Sequence, residues 1–317
     1  MGQTLYQYTD TQALAGIVEN CTIRATDFRY LNDSLELSYV WDAFVARLRP
    51  FAEAPDDGHH YAYGTMLDAI RRLQADDIRS YDQSVFVACF TELKDAVSQW
   101  SRYGANGHGV ALGFDAEKIR VLQAGYHQPQ GAGKLSAILD QNQRPLTWGC
   151  FLQPVEYGDP ARDAVVDQLI DLVRVIGTTG DPTADAHNYM WQLGAIFPQV
   201  SLVKHEAFQD EREHRITAAE HFGGMTLLQR KAMAELGGQF TSFAETPKIT
   251  LDVKFRPSGH TLFTPYVELP LPRDALVTVV LGPSVTDPLA PVTVRRMLER
   301  HGYLDTTVEK SELPYQS

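Results

Sequence analysis

The stretch SVFVACFTELKDAVSQWSRYGANGHGVALGFD, residues 84–115, decides the fold. SVFVACF is a near-continuous apolar run, the pattern of a strand buried in the middle of a sheet. TELKDAVSQWSRYG reads as helical and ends at Gly104, and GVALGFD reads as another strand. Gly104, Gly107 and Gly109 precede a strand rather than open a helix, so they do not form a dinucleotide-binding fingerprint.

The flanks repeat this mixture. QTLYQY (residues 3–8) predicts a strand, Thr9 or Asp10 caps a helix through Leu14, Ile17 and Val18, and CTIRATDF alternates like a second strand. YLNDSLEL reads as a turn feeding a helix, LSYVWDAFVARLRPF keeps helical period, and YGTMLDAIRRLQADD follows the polar loop PDDGHH as another helix. The Gln/Gly-rich QAGYHQPQGAGKL (123–135) predicts a surface loop, and WGCFLQPVEY the next strand. Asp159-Pro160 opens a helix with Val165, Leu169, Val173 and Ile176 on one stripe, TTGDPTADA breaks it, and HNYMWQLGAIFPQVSLVKH (187–205) predicts a further helix marked at Pro198. The loosely patterned GGMTLLQRKAMAELGG precedes the strands KITLDVKFR, TLFTPYVEL and ALVTVVLG, the helix PLAPVTVRRMLERHG and the strand TTVEKS. We expect a single α+β domain over residues 1–317, a mixed and mainly antiparallel sheet core with a helical insertion near 159–200.

Composition bounds the function. The chain has 317 residues, 44 % apolar and 21 % charged, as in an ordinary globular enzyme or binding protein. Forty acidic residues against 28 basic give −12, which disfavours general nucleic-acid binding. No stretch approaches the ~18 apolar residues of a membrane helix, the N-terminus lacks a signal-peptide pattern, and Cys21, Cys89 and Cys150 form no CxxC pair. These features predict a cytoplasmic protein with reduced thiols, no membrane partner and no metal.

Three stretches can carry chemistry. In LYQYT, Tyr6 and Tyr8 share one strand face and Gln7 the other; they are packing residues, or Gln7 and Tyr8 line a pocket. Cys89, Phe90 and Thr91 sit where a buried strand meets a loop, and Trp100 and Tyr103 share a helix face, either to stack on a flat ring or to anchor packing. Cys89 makes a poor nucleophile, because an apolar run raises a thiol pKa. FQDEREHRI (208–216), read as a strand, puts Glu211, Glu213 and Arg215 on one face, with the carboxylates roughly 7 Å apart, a spacing that lets one bond a ribose hydroxyl and the other orient a nucleophile. Read as a helix, the same residues form a solvated face.

The order LYxYT, RATDFRYLND, CFTE with SQWxxYGxxGxGVALGF, Lys204 with FxxExExRI, then KFR, PYVEL, VLGP and SELPY, resembles a widespread bacterial family described as a domain of unknown function. The likeness covers nearly the whole chain, and its motifs are specific in combination. That family is in turn similar to the ADP-ribosyltransferase-like fold, whose first strand, second strand and late glutamate-bearing strand surround NAD. The resemblance implies that Gln7 stands where the fold has His or Arg, that Thr91 falls near the second motif, and that Glu211-x-Glu213 corresponds to the biglutamate of arginine-type transferases. A Gln carries no charge, so Arg24 or Arg29 would supply the missing cation.

The expectation is therefore an NAD-consuming enzyme, of use in a bacterial conflict or defence system, that cleaves the nicotinamide–ribose bond and passes ADP-ribose to an unspecified acceptor or to water. Glu213 would support the oxocarbenium ion, Glu211 would orient the acceptor, Gln7 and Tyr8 would hold the nucleotide, and Trp100 or Tyr103 would stack on nicotinamide. The alternative is a non-catalytic ligand-binding or interaction module of the same fold, and a third reading is a hydrolase using Cys89 or a carboxylate pair. The leading reading requires Tyr8, Arg24, Trp100 and Glu213 to line one concave site, with Glu213 buried and held by Arg215 or a neighbouring cation.

Overall fold

A computed structural model describes residues 2–31, 36–53, 63–64, 66–67, 84–130, 134–175, 198–219, 250–258 and 262–314. Its strands are β1 (Thr4–Thr9), β2 (Thr22–Asp27), β3 (Val85–Thr91), β4 (Val110–Asp115), β5 (Val121–Gln130), β6 (Lys134–Ala137), β7 (Thr147–Pro154), β8 (Glu156–Tyr157), β9 (Val203–Lys204), β10 (Glu213–Ala219), β11 (Thr250–Leu251), β12 (Lys254–Ser258), β13 (Leu262–Pro270), β14 (Leu276–Leu281) and β15 (Thr307–Lys310). The longer helices are α1 (Thr11–Asn20), α2 (Glu36–Glu53), α3 (Val97–Arg102), α4 (Asp159–Val175) and α5 (Ala290–Arg300). The architecture is mixed, with a mainly antiparallel sheet: among the described pairings only β14–β15 and β8–β9 are parallel.

The apolar run of β3 is central, as its composition predicts. One edge pairs with β10 along the whole strand, from Glu213↔Thr91 to Ala219↔Val85. The other edge is shared. Phe86 and Val87 pair with Asp27 and Thr26 of β2, whereas Thr91 pairs with Tyr6 of β1. From Tyr6 onward β1 stays with β4, through Gln7↔Leu112 to Thr9↔Val110, while β2 turns away to β13. The sheet therefore forks, leaving Ala88–Phe90 without a described ladder partner on this edge.

α1 spans the fork between β1 and β2. Asp10 caps it by accepting from the Ala13 amide at 2.7 Å, and Leu14, Ile17 and Val18 turn inward. These side chains join Leu5, Ile23, Phe86, Phe90, Leu112 and Phe114 in the principal core, where each fully buried large side chain contributes about 1.5–3 kcal/mol. Val40, Trp41, Phe44 and Leu48 of α2 pack on Val165, Val166, Leu169 and Val173 of α4 in a separate apolar cluster. The glycines after α3 serve close approach: a Cβ on Gly109 would collide with the Thr9 carbonyl oxygen, and one on Gly104 would lie 2.5 Å from the Trp100 ring.

Several expectations change. The described residues of the Gln/Gly-rich stretch are strand: β5 runs through Gln130 and pairs with β6. Leu122, Ala124 and Tyr126 alternate inward, and the glutamines that suggest a loop, Gln123, Gln128 and Gln130, are exposed along the strand. KITLDVKFR is interrupted, β11 pairing with β5 and β12 with β13. Only Val97–Arg102 of TELKDAVSQWSRYG is α-helical. The end of the predicted 187–205 helix is extended, since Val203 and Lys204 pair with β8, and its residues 187–197 lie outside the described residues. GGMTLLQRKAMAELGG and most of YGTMLDAIRRLQADD lie outside them too. Among the described residues no helix is long and apolar enough to cross a membrane.

Candidate functional site

A cavity of about 540 Å³ occupies the fork. Its wall combines Gln7 and Tyr8 of β1, Ile17 of α1, Arg24 and Thr26 of β2, Cys89 and Thr91 of β3, Arg102 and Tyr103 at the end of α3, Lys204, Glu211, Glu213, Arg215 and, from β12, Arg256. Segments separated by up to about 250 residues meet because β3 has β1 and β2 on one edge and β10 on the other. Lining this space are five cationic and two anionic side chains, a local reversal of the chain's −12.

The strongest charge cluster surrounds Glu213, which opens β10 and is 7 % exposed. Arg215, on the same strand face, donates through Nε to Glu213 Oε1 at 2.7 Å and through Nη2 to Oε2 at 3.1 Å. The Lys204 ammonium donates to Glu213 Oε2 at 2.8 Å and to Glu211 Oε2 at 2.7 Å. Burial alone would raise the carboxyl pKa of Glu213, but the Arg215 and Lys204 charges outweigh it and hold the group at about 2. The same burial, together with the Glu213 charge, pushes the Cys89 thiol well above its usual range, so Cys89 stays protonated.

Glu211 corrects the strand reading of FQDEREHRI. It ends a 3-10 turn (Glu206–Glu211), and Arg212 follows with φ 44°, in the left-handed region, before β10 begins. The two carboxylates are thus not successive same-face residues of one strand; the turn folds Glu211 back so that both meet the Lys204 ammonium. Arg102 Nη1 at 2.8 Å and the Tyr103 hydroxyl at 3.2 Å complete the donors to Glu211 Oε1.

The remaining predicted residues divide. Arg24 lines the cavity, whereas Arg29 donates through Nε and Nη2 to Asp27 and through Nη2 to Ser84 and does not. Gln7 Nε2 reaches across the fork to the Cys89 carbonyl oxygen at 3.5 Å, a long contact. Thr91 lines the wall, but its hydroxyl donates to the Glu211 carbonyl at 2.6 Å and accepts from the Leu93 amide, which fixes the turn. The Tyr8 hydroxyl likewise donates to the Leu93 carbonyl at 3.0 Å and accepts from the Ala96 amide, so Tyr8 offers the cavity a ring rather than a polar group.

Trp100 does not line the cavity, contrary to expectation. It is fully buried, donates from Nε1 to Asp95 Oδ1 at 2.6 Å, and packs edge-on against Tyr8 at 4.7 Å. It supports the wall from behind, and Tyr103 is the aromatic of that pair that faces the space. Lys204, Arg102 and Arg256 received no role from sequence reasoning. One signal was available for Lys204: it closes the buried run Ser201–Val203, and a lysine carried inward by such a run needs paired charge.

Among the described residues no three His, Cys, Asp or Glu side chains gather to hold a metal ion. No curated protein and no solved structure matched the chain. Residues 99–216, which run from α3 through the Lys204–Glu211–Glu213–Arg215 cluster, match the profile of a family described as protein of unknown function (DUF2971).

Proposed function

We propose that this protein is an ADP-ribosyltransferase-like enzyme that binds NAD in the fork and cleaves its nicotinamide–ribose bond. The observation that carries the reading is the convergence of Gln7, Arg24, Tyr103, Glu211 and Glu213 on one cavity. About 540 Å³ falls within the ~300–1,000 Å³ of small-molecule sites. Arg24 supplies the charge that Gln7 lacks. With its pKa near 2, Glu213 is anionic throughout the working pH range, as a group facing a developing positive charge must be. In the reaction the C1′–N1 bond breaks, its electron pair leaves with neutral nicotinamide, water or an acceptor provides the pair for the new bond at C1′, and the proton the nucleophile loses passes to solvent. Glu213 faces the ribose and Glu211, anchored by Arg102 and Lys204, positions the incoming nucleophile.

One observation favours a second reading, binding without turnover. Both oxygens of Glu213 already hold cationic donors, and so do both of Glu211, which reduces the negative field either carboxylate offers a cationic transition state. Incubation with NAD labelled in nicotinamide separates the two. The enzyme reading predicts released nicotinamide and a loss of about 100-fold or more in Glu213→Gln. NAD binding with no release, with or without acceptors, leaves the binding module, and neither binding nor release removes both.

A further inference from the structure

β2, β13 and β12, two of which contribute to the cavity wall, lie side by side. Arg24 stands opposite Glu268, and Arg256 opposite Thr264. Because side chains alternate across a sheet, Arg24, Thr26, Tyr266, Lys254 and Arg256 share one face. Its charges are unevenly satisfied. Glu268 accepts from Lys254 at 2.6 Å, leaving Arg24 a distant 3.8 Å contact with that carboxylate and a place over the Tyr266 ring at 4.9 Å. Arg256 forms no ion pair among the described residues; its single hydrogen bond here runs from Nη2 to Thr26 Oγ1 at 3.3 Å. Partial burial of the guanidinium, and after it the charge of Arg24, lower the Arg256 pKa, with the Asp10 charge opposing them.

Two guanidiniums with most of their N–H donors unused among the described residues, on one sheet face and at the wall of a cavity, suit a group with adjacent anionic centres and many acceptor oxygens. A carboxylate offers one centre; a diphosphate offers two. The cavity also has exposed aromatic surface at Tyr30, suited to a base or ribose. We infer that Arg24 and Arg256 form a diphosphate-binding subsite and that the ligand is a nucleoside diphosphate or a molecule containing one. This inference rests on the nucleotide reading of the cavity, but not on any turnover.

Calorimetric titration of the full chain with ADP, inorganic phosphate and adenosine tests it. The expected result is ADP binding that weakens at least tenfold in Arg256→Gln and in Arg24→Gln and further in the double variant, with partial rescue by Arg256→Lys. Phosphate should bind more weakly than ADP at the same residues, and adenosine should be indifferent to both substitutions. Arg256 is an exposed residue, so Arg256→Gln should fold with an unchanged melting temperature. No ADP binding by the wild type, or equal ADP affinity in the double variant, overturns the subsite. Nicotinamide release that is unchanged in KM in the double variant also overturns it while sparing the enzyme reading; ADP binding through both arginines with no NAD cleavage spares the subsite and removes the enzyme.

Discussion

Glu211 and Glu213 approach the same ammonium, Lys204 Nζ, at 2.7 and 2.8 Å, although a left-handed Arg212 separates them in the chain. Two buried carboxylates this close repel each other unless a cation stands between them. Lys204, itself only 3 % exposed, is therefore the member whose loss leaves the most uncompensated charge.

Lys204→Met should accordingly destabilise the fold by about 3–5 kcal/mol. Urea unfolding at neutral pH checks this. The double variant Lys204→Met/Glu211→Gln should recover part of the loss, because one of the two carboxylates no longer needs a partner. A single variant within about 0.5 kcal/mol of wild type would show that the cluster is solvated.

The depressed pKa of Glu213 has a signed consequence for stability. Its folded pKa of about 2 lies below the ordinary carboxylate value. The unfolded state thus binds the proton more readily, and stability from this group is fully present above pH ~5 and lost as pH falls toward 2. The contribution is roughly 3 kcal/mol. Unfolding free energies measured between pH 6 and 3 should fall more steeply for the wild type than for Glu213→Gln, and parallel slopes would contradict the buried pairing.

Trp100→Phe removes the hydrogen bond to Asp95 and part of the packing behind Tyr8, and should cost about 1–3 kcal/mol in stability. Since the indole does not reach the cavity, ligand affinity measured well below the melting temperature should change less than threefold. A large affinity loss with unchanged stability would return Trp100 to the site.

Cys89 lines the cavity yet is held protonated by burial and the Glu213 charge. Iodoacetamide should leave it unmodified in the folded protein and label it in urea, as read by mass spectrometry of the tryptic peptide. Rapid labelling of the native chain would revive a thiol mechanism.

Features carried by local pattern were legible in the sequence: the apolar run of β3, the Asp10 cap, the same-face pairing of Glu213 with Arg215. The β5–β6 pairing was hidden by exposed glutamines, which a composition-based reading takes for a loop. Three juxtapositions of charge, two attractive and one between like charges, were hidden for another reason. Arg102 meets Glu211 across 109 residues, Arg24 and Arg256 are brought near each other by the β2–β13–β12 ladder, and Glu211 reaches Lys204 through a 3-10 turn no periodicity announces. Trp100 faced either way on a helix, and only the position of Tyr8 and Asp95 decides that it packs inward.

The central claim, that the fork between β1, β2 and β3 is a nucleotide site, is tested most directly by hydrogen–deuterium exchange of the full chain with and without saturating NAD. The account predicts added protection confined to residues 6–13, 24–31, 87–91, 99–103, 204–215 and 254–258, with α5 and β15 unchanged. Protection elsewhere with none in these segments, or no change at any NAD concentration, would contradict it.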